Sequence, residues 1–380
     1  MQVDRPHPHA VTTATRRLAL LLITLVVPLL ACTQPPEGRS DADSSHPATE
    51  GPGQPEERLA EEDEVPVTDE DHCGLDAGGL YEERAAGESP YSRERVTFAL
   101  HFGDEVNPHR LMTTSVMPGE TLDLEPVLTD RQSRFEVEVD GGRLEQVSAE
   151  RWTWTAPEEP GFHCLRITDV TKDETMCLNA FVLTPWDGSE NLNGYRIGSY
   201  PDEPFRGLET YRAPEGFIEV TEENRDTWVS PHFQLKQFVC KQESDYPKYL
   251  VLRTRMLLKL ERLLAQVNDE GLPAETFFVM SGYRTPFYNR AIGNTTTFSR
   301  HAFGDAADIF IDRNRNGVMD DIDGSGEVTI GDARVLFRMV EQMTTEPWYR
   351  PFIGGLGLYG PAPHRGPFIH VDTRGYEARW

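Results

Sequence analysis

The stretch Ser299-Arg300-His301-Ala302-Phe303-Gly304-Asp305-Ala306-Ala307-Asp308-Ile309 decides how the C-terminal third of this 380-residue chain reads. His301 and Asp308 stand seven residues apart, with Gly304 between them. A glycine there permits a sharp turn, so His301 is expected at a loop edge and Asp308 on the strand that follows. Further on, Phe368-Ile369-His370-Val371-Asp372-Thr373-Arg374 alternates like a strand that can lie antiparallel beside it. Two imidazoles and one carboxylate leave a tetrahedral zinc with a position open for water. Zinc so held acidifies that water and polarises a carbonyl, which makes hydrolysis possible. His301, Asp308 and His370 are therefore the candidate zinc ligands. Spacing alone is a weak signal, because a His and an Asp this far apart are more often structural.

Outward from this stretch, the C-terminal third reads as helix, strand, loop, strand, acidic insertion, helix and two final strands. Leu252, Met256, Leu260, Leu263, Leu264 and Val267 make a helical stripe over Tyr249 to Val267, closed by Gly271. Phe277 to Met280 is a short apolar strand, followed by Ser281-Gly282-Tyr283-Arg284-Thr285-Pro286. Ala333 to Met343 is a second helix, and Gly354-Gly355-Leu356-Gly357-Leu358-Tyr359 precedes the His370 segment.

Together, the segments Ser281–Pro286, Ser299–Asp308 and Phe368–Asp372 resemble the M15 family of zinc peptidases. That family includes D-alanyl-D-alanine carboxypeptidases, phage endolysin peptidases and murein endopeptidases. The likeness is to its periplasmic, murein-endopeptidase-like branch, formerly DUF882, and covers residues 230–380, beginning at Ser230-Pro231-His232. The resemblance implies an α+β fold, with an antiparallel sheet holding the zinc and helices packed on it. It places His301 and Asp308 as the H-x6-D ligand pair and His370 as the third ligand. It puts Arg284 on the substrate side, where a guanidinium suits a peptide carboxylate or a developing oxyanion; a structural ion pair is the alternative. Ser299 and Tyr283 are candidate substrate contacts beside it, with loop capping as the other role for Ser299. The departure is the general base. Many members carry an acid three residues before the last His, or a His two before it; here those positions are Pro367 and Phe368. Asp372 and His364 are the nearest alternatives. Asp372 either shuttles the proton or orients His370.

The acidic insertion, residues 312–332, fits two overlapping EF-hand-type calcium loops. In the first, Asp312, Asn314, Asn316, Val318, Asp320 and Asp323 fall at ligand positions, with Gly317 at the sharp turn. In the second they are Asp321, Asp323, Ser325, Glu327 and Asp332. So many carboxylates in one short turn repel one another without a cation. Calcium is expected here, stiffening the strand end that presents Asp308.

Residues 73–190 read as a small all-β, immunoglobulin-like sandwich. Val96 to Phe102, Phe135 to Val139 and Trp152 to Trp154 alternate with period two, and Pro-Gly and Gly-Gly turns separate them. The domain carries no catalytic constellation, so a spacer or binding role is expected. Residues 191–229 read as a connector. Cys73, Cys164, Cys177 and Cys240 allow three pairings, of which Cys164 with Cys177 and Cys73 with Cys240 is the first choice.

The N-terminus reads as an address with an anchor. Arg16 and Arg17 precede an apolar run of 13 residues, Leu18 to Leu30, too short to span a bilayer comfortably. It ends in Leu29-Leu30-Ala31-Cys32, which resembles a bacterial lipobox with Cys32 as the lipidated residue. Residues 1–32 are thus an expected lipoprotein signal peptide. Residues 33–72, rich in Pro, Gly, Ser and acids, are an expected disordered tether.

With 37 basic against 63 acidic residues the formal net charge is −26, which excludes a general nucleic-acid binder. The expected protein is an exported bacterial lipoprotein of the cell envelope, acting as a monomer. Its expected activity is zinc-dependent hydrolysis of peptidoglycan peptide stems or cross-links, as a carboxypeptidase or an endopeptidase. The alternative is an inactive zinc protein that binds or regulates the wall.

Overall fold

The computed structural model describes residues 95–127 and 132–380, which lie within one compact unit, Pro66–Trp380. The signal peptide with Cys32, the tether of residues 33–72, and Cys73 lie outside the described residues. Among the described residues, no helix is long and apolar enough to cross a membrane.

Alternation over residues 95–182 produces nine strands. They are β1 (Arg95–Phe102), β2 (Glu105–His109), β3 (Leu111–Val116), β4 (Thr121–Val127), β5 (Phe135–Val139), β6 (Arg143–Ser148), β7 (Arg151–Thr155), β8 (Gly161–Asp169) and β9 (Glu174–Val182). In β1, Val96, Phe98, Leu100 and Phe102 are buried and the residues between them are more open, as period two requires. One sheet runs β2-β1-β4-β7-β6 and the other β3-β9-β8-β5, with β3 and β9 parallel. Their apolar residues, including Leu100, Leu124, Trp154, Leu165 and Leu178, belong to one core. The buried Trp154 indole donates to the Gly141 carbonyl at 2.8 Å, so its polar edge is satisfied.

Cys164 and Cys177 lie on the neighbouring strands β8 and β9 with sulfurs 3.2 Å apart. Cys240 is a buried free thiol, which corrects the expected Cys73–Cys240 pair. Its neighbourhood, with Tyr195, Gln242 and Thr285, lies in the core of the C-terminal half, where burial pushes the thiol pKa up.

β10 (Gly216–Val220) pairs antiparallel with β11 (Lys248–Leu250). Tyr249 and Leu250 are thus strand residues, and α1 runs Thr254–Asp269, a later start than the apolar stripe predicts. The backbone partners that β10 offers, and the Tyr249 hydroxyl donating to Glu219 at 2.8 Å, hold those residues extended. α1 is buried almost all round, Lys259 and Glu261 included. Towards the sandwich, Thr254 donates to the Thr113 carbonyl at 2.8 Å and Arg255 pairs with Glu105 at 2.6 Å. Glu261 accepts from the Ser230 hydroxyl at 2.6 Å and lies 2.6 Å from His232 Nδ1.

The C-terminal sheet contains β12 (Phe278–Ser281), β13 (Ala306–Phe310), β14 (Gly355–Tyr359), β15 (Phe368–Asp372) and β16 (Ala378–Arg379). Its order is β12-β13-β15-β14-β16, antiparallel except for β14 with β16. A short helix, α2 (Pro286–Ala291), starts at Thr285, whose hydroxyl accepts from the Tyr288 amide at 3.0 Å. α3 (Ile330–Met343) packs on β14, β15 and α1. It begins earlier than Ala333 because Thr329 and Asp332 form a reciprocal capping box. Ile369 and Val371 of β15 join the core, while His370 alternates to the other face.

Candidate metal centre

His301 sits in a tight 3-10 turn, Arg300–Phe303, that ends at Gly304. Two constraints fix that glycine. Its φ is +71°, and a Cβ there would lie 2.3 Å from the Val251 carbonyl oxygen. The turn is clamped by Arg300, which makes two hydrogen bonds to Asp305 at 2.9 and 2.5 Å and lies over the Tyr211 ring. β13 then carries Asp308 directly opposite His370 of β15. Ser281, at the end of β12, is the Asp308 partner on the other side. The sheet register thus does what the sequence spacing only suggests.

The three side chains meet. His301 Nε2 is 3.3 Å from Asp308 Oδ1, and His370 Nδ1 is 2.8 Å from the same oxygen. One donor atom from each lies within 4.8 Å of the others, and all three residues are buried. The outer atoms are engaged. His301 Nδ1 lies 2.7 Å from the Gly282 carbonyl, which only accepts, so that nitrogen carries the proton and the Nε2 lone pair faces inward. His370 Nε2 lies 3.0 Å from Asp372 Oδ2. Asp308 Oδ2 accepts from Arg284 at 2.5 Å, and Arg284 Nε donates to the Ser281 hydroxyl at 2.6 Å. Two nitrogens and one oxygen, each backed by a fixed partner, are a donor set that fits a divalent metal such as zinc.

Burial and neighbouring charges act in opposite senses on the three side chains. Burial works to raise the Asp308 pKa, yet the two imidazoles hold the carboxyl well below its ordinary value. Burial works to lower His370, but hydrogen bonds and charges from Asp308 and Asp372 push it up to about 9. For His301, burial wins and the pKa falls. An anionic carboxylate is thus shared between two imidazoles, the place a cation would take.

The roles expected of Tyr283 and His364 change, and Asp372 stands in one of the two positions expected of it. Tyr283 is a core residue rather than a substrate contact: it is 2 % exposed, and its hydroxyl lies 3.1 Å from that of Tyr200. Asp372 is fully buried, and its oxygens accept from His370, from the Gly355 amide at 2.7 Å, and from Arg374 through the amide and guanidinium. So engaged, it holds the His370 ring in place. His364 lies exposed in the turn closed by Ala362 and Arg365, with no hydrogen bond to the three among the described residues. Ser299 is buried at the head of the His301 turn, its carbonyl accepting from the Ala302 amide at 3.0 Å. Its hydroxyl makes no capping hydrogen bond to the turn. Arg284 backs Asp308 in an ion pair.

Sequence reasoning missed Arg300, Asp305, Lys259 and Arg374, which hold the site from behind. A charged residue inside an otherwise apolar helical stripe, as at Lys259, was the available signal.

The acidic insertion divides. In its second loop Asp321, Asp323 and Asp332 offer oxygens within 4.8 Å of one another. Asp321 accepts from the Ser325 and Gly326 amides, while Asp332 accepts from Ile322, Asp323 and Thr329. In the first, Asp312 accepts from the Asn316 and Gly317 amides, but Asp320 pairs with Arg313 at 2.6 Å. Asp320 is thus diverted from the ligand position expected of it. Val318 is exposed on this loop.

No protein-family model matches the chain, and no curated protein and no solved structure matches it.

Proposed function

We propose that this chain is a zinc-dependent peptidase of the M15 kind that hydrolyses peptide bonds in peptidoglycan. The cluster of His301, Asp308 and His370 carries the reading, because their inward donor atoms converge and their outer atoms are tied. Zinc held by three protein donors supplies a Lewis acid and an acidified water. The protein's own part is to fix those donors: Arg284 holds Asp308, Asp372 holds His370, and the Gly282 carbonyl holds His301. The lipobox-like segment and the tether read from the sequence support a place at the envelope facing the wall. The second calcium loop supports a role for calcium next to α3.

A second reading is a zinc-holding wall-binding protein that does not cleave. It is favoured by Pro367, where many members of the family the sequence resembles carry an acid, and by the full engagement of Asp372. The deciding experiment incubates the zinc-loaded full chain with purified peptidoglycan, with and without a chelator, and identifies released fragments by mass spectrometry. Chelator-sensitive fragments carry the first reading, and His301→Ala then abolishes them. No fragments from zinc-loaded protein that still sediments with the wall carries the second.

A further inference from the structure

The short turn that carries His301 ends in carbonyls that no further helical turn satisfies. Each is taken by a different part of the chain. The Arg284 amide donates to the His301 carbonyl at 3.2 Å. Arg253, at the head of α1, donates its amide to the Gly304 carbonyl at 2.9 Å and its Nε to the Phe303 carbonyl at 3.4 Å. The Ala302 carbonyl is reached from the connector, by the Tyr200 hydroxyl at 2.6 Å. A hydroxyl has one proton to give. The Tyr283 hydroxyl, 3.1 Å from that of Tyr200, therefore donates to it in turn.

The connector grips the turn at further points. The Thr210 carbonyl accepts from Arg300 at 2.7 Å, and the Thr210 hydroxyl donates to the Arg374 carbonyl at 3.1 Å. Phe205 and Tyr211 close on Phe298, with ring centroids 5.2 and 5.8 Å away. Tyr200 and Tyr211 close on Phe303 at 5.6 and 5.5 Å. Phe298 and Phe303 flank His301 in the sequence, so both ends of the turn are held. Asp308 and His370 are fixed differently. They face each other on paired strands, and the ladder sets their register. His301 alone of the three stands off the sheet.

We propose that residues 200–211 are a strap that sets where His301 stands, with Tyr200 as a positioning residue of the metal cluster. The inference rests on the metal-binding part of the proposed function and does not depend on cleavage. Ring packing fixes the strap, and the Tyr200 hydroxyl ties it to the residue next to the ligand. A buried carbonyl that loses its donor is costly to leave unpaired, so the turn shifts towards another donor. His301 moves with it, while Asp308 and His370 stay in register.

The test uses the full chain, loaded with zinc or with cobalt(II). Zinc affinity is read by competition with a chromophoric chelator. The visible cobalt spectrum at full saturation reports how the ligands are arranged. Tyr200→Phe keeps the ring and removes the oxygen. It should lower zinc affinity about tenfold and shift the cobalt bands. Phe205→Leu thins the packing on Phe298 without orphaning a polar group, and should change both readouts in the same sense. Tyr249→Phe is the control. It also removes a buried hydroxyl, but one whose partners are Glu219 and Asn193 rather than the turn. It should keep wild-type affinity and spectrum. Wild-type affinity and spectrum in both strap variants overturn the strap and leave the metal cluster. An equal loss in Tyr249→Phe overturns it too, because the effect is then general loosening. Failure of the wild type to bind either metal overturns the metal reading and the strap with it.

Discussion

Lys259 reaches from the middle of α1 to the backbone carbonyl of Asp372, 2.7 Å away, and to that of Phe352 at 3.1 Å. The ammonium is fully buried, and desolvation pushes its pKa down to about 8 despite the nearby Asp372 charge. A helix thereby grips the end of the strand that carries His370.

Replacing it removes the grip. Lys259→Met keeps the length of the stem and leaves two buried carbonyls without a donor. Each orphaned group costs about 1–3 kcal/mol, partly offset by the lost burial of a charge. A net loss of about 1–2 kcal/mol is expected from urea unfolding at neutral pH. An unchanged midpoint and slope would refute the grip.

Asp372→Asn tests the orientation of His370. The amide preserves shape but removes the charge that fixes the Nε2 proton. Zinc affinity should fall about 10–100-fold, read by competition with a chromophoric chelator, while His301→Ala should eliminate tight binding. If Asp372→Asn keeps wild-type zinc affinity and loses only activity, Asp372 is a proton carrier after all.

Stability should depend on pH through His109. This imidazole is fully buried, and desolvation pushes its pKa down to about 4; Glu261 opposes the shift, while Arg95, Arg262 and His232 add to it. In the unfolded chain the value returns to about 6.5. Between those values the unfolded state binds a proton that the folded state refuses, so stability falls as pH drops from about 6.5 to about 4. The total is about 3 kcal/mol. His109→Leu should flatten that window in urea titrations. The buried Glu261, whose pKa is lowered, contributes at the acid end of the range and below it.

Calcium should raise the melting temperature by binding the second loop. Asp323→Asn should remove that rise and leave the calcium-free melting temperature near wild type, because Asp323 is exposed and lies outside the capping box. Asp332→Asn should lower both, since Asp332 also caps α3. Calorimetry with and without calcium separates them. A calcium response intact in Asp323→Asn would discard the loop as the site.

Much of the site was legible locally. His301, Gly304 and Asp308 are near in sequence, and the strand pattern around His370 fixed its face. The convergence of His301, Asp308 and His370 and the alternating strands followed from that. What escaped was long-range. Nothing in residues 249–267 says that Lys259 will meet Asp372, or that Tyr249 will be claimed by β10 before the helix begins. Tyr283 sits beside Arg284 in the same motif, but which of two neighbours turns inward is decided by Tyr200, over 80 positions away. Asp372 could be read as base or as support, and only the Gly355 amide and Arg374 decide between them.

α1 touches the sandwich through Thr254 and Arg255 and the sheet beneath the metal cluster through Lys259. A helix buried on every side belongs to neither neighbour. Cutting the chain at the connector would strip one wall from it and expose an oily face to water. The portable unit, for gene fusion or for recombination between genes, is therefore the sandwich and the C-terminal sheet together, with α1 as their shared keel.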